Sequence, residues 1–572
     1  MLSASRYCRL QAVYLVIPKN TTQMKALTLI ILSLLLYATL SLTAQNKYFE
    51  KTYGWTDNHT GMSITSMDNG NYLISCGFFV VGNDTNSSAL LSIMPNGNLD
   101  FLQLYLEDGY ENIVRKVIKS NDGYFLAGWS RTFPPNPQML LYLLQTDNNG
   151  NKIFSTSIKP DDYRCGAYTG FRTPDGGYLL GGFIIPYLSS PLYHEPYLVK
   201  VDASGQVQWT HIYNNYVANN WIQDMLPAEN GGAYLLLQTN YWSGGGDIAL
   251  LKIDSAGNII WEQTHNFNPY PGIPEAAAQQ DRPRTLRRTM DGGFLITAAI
   301  DTAVAVSQQI GLYHYSPFGA TYKTDSLGNV LWITFEHNGI NATPTASCVL
   351  PDNSYVLCGT RYVPTSPGAW TDQIEIELFK IDAQGNTLWT RYYGGEYNDY
   401  AFDMLPTPEG GFILCGRKEY YNVTDLVSTA QVYVIKTNCM GLLTQPQAAF
   451  THYPIDNHAI QFINQTQYAY PDSIDGGYYI WDFGDGAPPY LCGQGYEPCA
   501  PVLTHQYALP GAYTATLTAI VCTDTSVVQH TFSTQAVGIP QAPPFFEGGQ
   551  GGEQVVVYPN PAQNTLHFTL QN

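Results

Sequence analysis

One short phrase recurs along the chain and restricts its fold more than any other feature: an acidic or amide residue, one or two glycines, then an apolar run. Clear copies are Asp175-Gly176-Gly177-Tyr178, Asp291-Gly292-Gly293-Phe294 and Glu409-Gly410-Gly411-Phe412. A second phrase, Lys-x-Asp-x-x-Gly-x-x-x-Trp, occurs four times and begins at Lys200, Lys252, Lys323 and Lys380. With looser copies counted, seven units recur at a spacing of roughly 52 to 61 residues. Such a period is typical of solenoids and propellers.

Each unit reads as two β-hairpins. Asp-Gly-Gly and Asp-x-x-Gly between apolar runs supply the positive-φ positions that tight turns need. The sequence therefore predicts four short strands per unit, and seven such units predict an all-β, seven-bladed β-propeller over residues 45–443.

The ends of the array indicate a closed ring. The seventh unit stops at Gly441 and lacks the outer strand that Trp389–Gly394 forms in the unit before it. A similar stretch, Tyr48–Gly54, lies near the other end of the chain. We expect this N-terminal strand to complete the last blade, because that pairing removes exposed sheet edges.

Composition and charge bear on the partners. The chain has 572 residues, a net charge of −19, 13% aromatic and 13% charged residues. Strong acidity argues against nucleic acid or an anionic membrane surface as a partner. An acidic surface that keeps an exported protein soluble, here a predicted monomer, is the simpler interpretation.

Residues 1–44 resemble a targeting segment. Met24-Lys25 precedes an apolar run from Ala26 to Leu42, and small residues end at Ala44. This order is that of a signal peptide whose natural start is Met24. The alternative is an uncleaved anchor, since the apolar run approaches the length that spans a bilayer.

Cysteine spacing gives one disulfide expectation. Cys492 and Cys499 bracket a Gly-rich stretch, and we expect them to be bonded in an oxidising compartment. Cys76, Cys358 and Cys415 recur at one strand position, which suggests small buried side chains. The cysteine and histidine spacings do not match a zinc site, so neither a metal nor a cofactor is predicted.

Residues 446–534 carry two motifs, Trp481-Asp482-Phe483-Gly484-Asp485-Gly486 and His505-x-Tyr507-x-x-Pro510-Gly511-x-Tyr513. Together they resemble a polycystic kidney disease (PKD) domain, a small immunoglobulin-like β-sandwich of secreted bacterial proteins. The resemblance implies a spacer module. Asp482 and Asp485 suit turn capping better than calcium binding, because each precedes a glycine in a turn.

The C-terminal residues divide into two parts. Residues 535–554 are rich in Pro, Gly and Gln and predict a linker. Residues 555–572 begin Val555-Val556-Val557-Tyr558-Pro559 and resemble the start of a type A sorting domain of the type IX secretion system of Bacteroidetes-type bacteria. That resemblance implies a truncated domain, the secretion machinery as a partner, and a secreted or outer-membrane cell-surface location.

The propeller topology places all long connections on one side. Connections within the hairpins are short and uniform and define the turn face; the other connections vary in length and define the loop face. Variable loops on a rigid scaffold are common binding sites. Aromatic side chains there suit a glycan or protein ligand, although they can also pack loop on loop. The predicted ligand-binding residues are Tyr241, Trp242, Trp370, Tyr397 and Tyr420.

Enzymatic signals are weak. The chain has no G-x-S-x-G elbow, P-loop or H-E-x-x-H motif, and no catalytic residue is assigned. The recurrent Lys and Asp residues repeat with the fold, which favours a structural role. Asp224, Asp399 and Asp403 lie near the loop face and could form an acid/base pair at a suitable separation.

These observations favour an exported, surface-exposed binding or adhesion protein whose propeller presents a ligand site. A propeller enzyme acting on extracellular polysaccharide, as a hydrolase or lyase, is the first alternative. A purely structural envelope component is the second.

Overall fold

The computed structural model describes a chain made mostly of β-strands. The described residues are 47–54, 58–80, 85–107, 110–132, 138–186, 193–214, 219–239, 246–267, 281–307, 312–335, 343–364, 372–422, 427–455, 458–471, 473–534, 555–558 and 567–570. The predicted signal peptide and the 535–554 linker lie outside these residues. Among the helices of the described part, none is long and apolar enough to cross a bilayer.

Twenty-eight strands build the propeller part. The first fourteen are β1 (Phe49–Tyr53), β2 (His59–Ser66), β3 (Tyr72–Val80), β4 (Thr85–Ile93), β5 (Leu99–Tyr105), β6 (Tyr110–Lys119), β7 (Gly123–Thr132), β8 (Met139–Asp147), β9 (Lys152–Ile158), β10 (Tyr163–Arg172), β11 (Tyr178–Pro186), β12 (Glu195–Val201), β13 (Val207–Ile212) and β14 (Trp221–Pro227). A single 3-10 turn, Glu229–Gly231, follows β14. The other fourteen are β15 (Ala233–Thr239), β16 (Asp247–Ile253), β17 (Ile259–His265), β18 (Asp281–Arg288), β19 (Phe294–Ser307), β20 (Leu312–Thr324), β21 (Val330–Phe335), β22 (Thr343–Val349), β23 (Tyr355–Pro364), β24 (Asp372–Ile381), β25 (Thr387–Tyr393), β26 (Asp399–Pro406), β27 (Phe412–Asn422) and β28 (Val427–Thr437).

These strands form seven four-stranded antiparallel sheets within the described residues, as the seven repeats predict. We number them as blades one to seven in chain order, from β2–β5 to β26–β28. The first strand of each blade is the inner strand, and each inner strand packs beside the inner strands of its two neighbours, β2 beside β26 included. The array is therefore a closed ring around a central channel.

The N-terminal strand closes the ring. β1 pairs antiparallel with β28, with Phe49 opposite Lys436 and Tyr53 opposite Val432. Phe49 is buried in a core that also holds Ile64 of blade one and Ile413 of blade seven. The predicted closing strand is thus present, and it supplies both hydrogen bonds and apolar packing to the junction of first and last blades.

The repeated polar residues are structural, as their symmetry suggested. Lys200 Nζ lies 2.8 Å from Asp175 Oδ2, joining the third strand of the blade to its first turn. Lys252 makes the same bond to Glu229 at 3.1 Å, and Lys436 to Glu409 at 3.3 Å. The Asp of the second phrase caps its own turn: Asp202 accepts the backbone N–H groups of Ser204 and Gln206.

A β-sandwich follows the propeller. Its sheets are β29-β30-β33 and β32-β31-β34-β35. The strands are β29 (Phe450–Pro454), β30 (Ala459–Asn464), β31 (Tyr478–Asp482), β32 (Tyr490–Gly493), β33 (Val502–Gln506), β34 (Ala512–Val521) and β35 (Asp524–Ser533). Trp481 and Phe462 meet in its core. Asp482 and Asp485 accept backbone N–H groups in the following turn, which is the capping role their sequence suggested.

The sandwich is fixed to the turn face of the propeller. A disulfide joins Cys439, in the last turn of blade seven, to Cys522 between β34 and β35. Asp524 accepts hydrogen bonds from Lys47 and from the hydroxyl of Tyr48, both 2.6 Å long, just before β1. The sequence did not indicate this junction. A second disulfide joins Cys492 and Cys499, whose Cα atoms are 4.9 Å apart.

Beyond the sandwich, two short strands pair in the tail. β36 (Val555–Tyr558) runs antiparallel to β37 (His567–Leu570). These strands fall in the stretch that resembles the start of a sorting domain. Two strands alone do not test that resemblance, which stays a prediction.

Candidate binding site in the central channel

Three of the five predicted ligand-binding residues, Tyr241, Trp242 and Trp370, lie outside the described residues. The other two come together: the rings of Tyr397 and Tyr420 are 6.4 Å apart. Both are partly buried on the loop face beside β26 and β27. They form an aromatic pair, whose role in binding stays a prediction.

The inner strands share a second feature. Each contains a β-bulge, at which one residue is skipped in the pairing with the second strand of its blade. Bulges redirect a side chain and are frequent beside functional sites. The skipped residues are Met62, Arg115, Tyr168, Gln223, Arg284, Thr345 and Phe402.

All seven bulged side chains line one cavity of about 140 Å³ in the central channel. We call these seven residues the bulge ring. Each lies eight residues before a turn residue of positive φ, at the same point of its repeat. All seven are partly exposed, although residues beside them in the strands are mostly buried. The ring has one backbone geometry but six different side-chain types.

The cavity is locally basic. Four of its fourteen lining residues are Lys or Arg, against 27 of 572 in the whole chain. The basic residues are Arg115, Lys116, Arg284 and Arg287, and the acidic residues are Asp224 and Asp403. A positive cavity is a local exception in a protein of net charge −19.

Asp224 joins three blades. Its Oδ1 accepts a hydrogen bond from Thr169 Oγ1 (3.1 Å) and from the backbone of Met225 (2.9 Å). Its Oδ2 accepts from the backbone N–H of Leu286 and from Arg287 Nη1, each at 2.9 Å. Four donors on two oxygens leave this carboxylate largely satisfied.

Asp403 forms the equivalent link between blades seven and one. Its Oδ2 accepts from Ser63 Oγ (3.0 Å) and the backbone N–H of Ile64 (3.1 Å), and its Oδ1 from the backbone of Met404 (3.0 Å). Lys116 Nζ is 3.9 Å away, at the limit of an ion pair. The two carboxylates of the cavity are therefore occupied in holding adjacent inner strands together.

Arg115 differs from the other ionised groups. Its guanidinium lies over the rings of Trp129 and Tyr168, 5.6 and 5.7 Å from their centroids. Its hydrogen bond is to the sulfur of Met62 at 3.6 Å, and no carboxylate among the described residues pairs with it. Burial lowers the pKa of the Arg115 side chain, as expected for a charge without a counterion.

Asp399, the third carboxylate that the sequence suggested for acid/base chemistry, is absent from the cavity lining. It is fully buried at the start of β26, accepts the backbone N–H of Gly395 at 2.9 Å, and lies 3.5 Å from Lys418 Nζ. Burial raises the pKa of Asp399 to about 6, although Lys418 opposes the shift. Asp224 and Asp403 share a cavity, and Asp399 does not join them.

Aromatic contacts lead outward from the cavity. Tyr168 contacts Trp129 and Phe183, with centroid distances of 5.8 and 5.2 Å. Phe183 contacts His194 at 5.2 Å, and His194 contacts Trp221 at 6.1 Å. Trp221 returns to the cavity by donating its Nε1–H to Gln223. Blades two to four thus carry a chain of aromatic contacts that begins at Tyr168 in the cavity lining and continues outside it.

Reasoning from loops missed the bulge ring because its members lie inside strands. A signal was nevertheless present. Aligned on their turn residues of positive φ, the seven repeats show Met, Arg, Tyr, Gln, Arg, Thr and Phe at one strand position, and the position after it also varies. Variation along the inner strands of a repeating scaffold indicates that these residues are not set by the fold alone.

Comparison with known proteins identifies one module. A PKD domain model matches residues 444–536, which include the β-sandwich. This part of the chain is a PKD domain, following an all-β propeller.

Solved structures give distant likenesses to the propeller. One is the GH93 α-L-arabinofuranosidase of Fusarium graminearum, at 10% identity and TM-score 0.37, with 68% of this chain and 98% of that chain covered. Another is the α-L-arabinanase of Penicillium chrysogenum, at 12% identity and TM-score 0.33, with 67% and 93% covered. The β-propeller domain of the Trilobed protease from Pyrococcus furiosus has 9% identity and TM-score 0.34, with 69% and 97% covered. Likenesses this distant carry no argument about activity.

Proposed function

We propose that this chain is an exported binding protein whose ligand occupies the central channel of the propeller. The observation that carries the proposal is the bulge ring: one repeated backbone device presents different side chains to a shared cavity. Closure of the blade ring alone does not require the side chains at these seven positions to differ. A ligand without sevenfold symmetry would require it.

Export is supported by two disulfides, Cys439–Cys522 and Cys492–Cys499, which persist in oxidising compartments. The signal-peptide-like N-terminus and the sorting-domain-like tail support the same location and the type IX secretion machinery as a partner. The PKD domain would hold the propeller in a fixed orientation relative to the cell-surface attachment. Its disulfide to the turn face leaves the loop face open to ligand.

The loop aromatics form the outer part of the proposed site. Tyr397 and Tyr420 lie on the loop face, through which a ligand would enter the channel. Tyr241, Trp242 and Trp370, which lie outside the described residues, remain predicted ligand-binding residues from the sequence. A glycan or a protein segment remains the proposed ligand class for this surface.

A second candidate function is hydrolysis of an extracellular glycan. It is favoured by the presence of Asp224 and Asp403 in one cavity, since most glycosidases use a pair of carboxyl groups. Against it, both carboxylates accept hydrogen bonds from the backbones of adjacent blades. A group so occupied has little freedom to exchange a proton with substrate, and binding therefore ranks first.

A glycan array followed by a polysaccharide activity screen tests this ranking. Wild-type protein is expected to bind a ligand without degrading it. A Gln223→Ala, Phe402→Ala double variant removes two bulge-ring contacts and should lose that binding while melting at nearly the wild-type temperature. Release of soluble sugar that Asp224→Asn and Asp403→Asn abolish would instead support the hydrolase.

A further inference from the structure

The bulge ring contains a guanidinium that the protein itself does not neutralise. Four described arginines of the propeller pair with carboxylates: Arg131 with Glu111, Arg287 with Asp224, Arg361 with Glu375, and Arg417 with Glu419. Arg115 instead contacts two aromatic rings and a thioether. A partly buried charge without a counterion is unfavourable unless something else supplies one.

We infer that the channel recognises the carboxylate of an acidic sugar, with Arg115 as the anion-binding residue. This inference rests on the proposed binding function and specifies its ligand class. A guanidinium presents N–H donors in a planar fork that matches a carboxylate with two parallel hydrogen bonds. The rings of Trp129 and Tyr168 hold that fork in place, which reduces the entropy lost on binding.

The remaining bulge-ring residues suit a sugar better than a simple anion. Tyr168 and Gln223 offer neutral hydrogen-bonding groups, and Gln223 is oriented by the bond that its Oε1 accepts from Trp221 Nε1 (3.0 Å). Phe402 and Met62 add apolar surface to the same cavity. Hydroxyl groups, a C–H face and one carboxylate are the features that such a lining complements.

The size and charge of the cavity restrict how the sugar binds. The cavity of about 140 Å³ is smaller than the roughly 300–1,000 Å³ of sites that enclose a whole small ligand, so we expect one terminal sugar residue to enter it. Lys116 and Arg284 add positive charge nearby, whereas Asp224 and Asp403 are already hydrogen-bonded to the blades. We therefore expect recognition of a chain end that carries the carboxylate, rather than of an internal segment.

Isothermal titration calorimetry at low salt tests the inference with matched probes. The acidic probes are galacturonate, glucuronate and short oligomers of each; galactose and glucose are their neutral counterparts, and acetate is the carboxylate without a ring. Wild-type protein should bind at least one acidic sugar more tightly than its neutral counterpart and than acetate. Binding should weaken as salt concentration rises, because a charge pair is formed.

Two variants and one control assign the effect to Arg115. Arg115→Met should weaken acidic-sugar binding about ten- to hundredfold, the range expected for hydrogen bonds to a charged group. Arg115→Lys keeps the charge but not the fork and should give an intermediate loss. Arg288→Met is the control, because Arg288 also lies over two rings, Tyr234 and Phe294, but is absent from the cavity lining. It should bind as wild type does.

The outcomes distinguish the inference of an acidic sugar from the proposed binding in the channel. The inference of an acidic sugar would be overturned if acidic and neutral sugars bound equally, and if the Gln223→Ala, Phe402→Ala double variant lost this binding while Arg115→Met kept it. The proposed binding in the channel would then still hold. The inference of an acidic sugar is also overturned if the folded protein binds none of the acidic probes at millimolar concentration. Binding unaffected by every bulge-ring variant would overturn both.

Discussion

At the scale of single residues, Arg115 and Arg287 line one cavity but differ in how their charge is balanced. Arg287 bonds the Asp224 carboxylate at 2.9 Å and two backbone carbonyls. Burial lowers the pKa of Arg287, but the nearby carboxylates of Asp224 and Asp403 raise that pKa overall. Arg115 lacks such a partner among the described residues. Arg287 therefore contributes to stability, whereas Arg115 is proposed to bind the ligand.

This contrast predicts opposite stability effects. Arg287→Met should destabilise the protein by about 2–4 kcal/mol, because it leaves the Asp224 carboxylate without its cation. Arg115→Met should change the free energy of unfolding by less than about 1 kcal/mol or increase it, since a site kept for function is often not optimal for stability. Urea unfolding of the two variants measures the difference, and similar losses in both would argue against an uncompensated Arg115.

Asp399 gives a prediction about pH. Its pKa is about 6 in the folded protein and 3.8 for the unperturbed group, so the folded state holds the proton more tightly. The resulting stability is fully present below about pH 4 and is lost as pH rises through 6. Relative to an Asp399→Asn variant, wild-type stability should therefore fall by about 2 kcal/mol between about pH 4 and pH 7.

Urea unfolding of both proteins across this range checks the prediction. Using the difference between them cancels the titration of most other groups. A difference that stays constant with pH would show that Asp399 is ionised throughout, with Lys418 and the Gly395 N–H sufficient to hold its charge.

At the scale of elements, the repeats predicted the blades well because each blade depends on local turn chemistry. Gly176, Gly292 and Gly410 have the positive φ that these turns require, and each lies two residues before the second strand of its blade. The closing strand was predictable for the same reason, since its sequence matched an outer strand. The bulge ring was harder to foresee, because the turns that flank an inner strand do not mark which of its residues is skipped in the pairing.

Other parts of the site depend on long-range packing that sequence spacing cannot give. The contacts of Asp224 with Leu286 and of Asp403 with Ile64 join residues 62 and 339 positions apart. No sequence feature near either residue of such a pair indicates its partner. The same holds for the disulfide between Cys439 and Cys522, which lie in different domains.

β1 gives a prediction at the scale of elements. A chain beginning at residue 55 should lose the sheet pairing with β28 and the burial of Phe49, lowering the melting temperature and exposing β28 to association. Because Lys47 and Tyr48 also contact Asp524, a Lys47→Ala, Tyr48→Phe variant with β1 intact is the control. Calorimetry and light scattering measure the effect. A monomeric truncated chain that melts like the control would show that ring closure does not need β1.

At the scale of the whole molecule, the two disulfides differ in the chain they close. The Cys439–Cys522 bond spans 83 residues and joins two domains, whereas Cys492–Cys499 spans 7 within one. In the chain-entropy model the longer loop gives about 4–5 kcal/mol and the shorter about 2–3. Breaking the first also releases the PKD domain from the turn face of the propeller.

Paired Cys→Ser variants of each disulfide test this difference. Removing Cys439–Cys522 should lower the free energy of unfolding by about 2 kcal/mol more than removing Cys492–Cys499. It should also separate the melting of the PKD domain from that of the propeller, which calorimetry would resolve as two transitions. A smaller loss than for the short loop would mean that the hydrogen bonds of Asp524 with Lys47 and Tyr48 suffice to hold the domains together.

The central claim is that the propeller binds its ligand in the channel lined by the bulge ring. A crystal structure with the tightest acidic sugar identified by calorimetry tests it most directly. The account predicts ligand density in the channel, with a carboxylate within hydrogen-bond distance of the Arg115 guanidinium and the ring against Tyr168, Gln223 or Phe402. An empty channel, with the ligand held instead between Tyr397 and Tyr420 on the loop face, would contradict it.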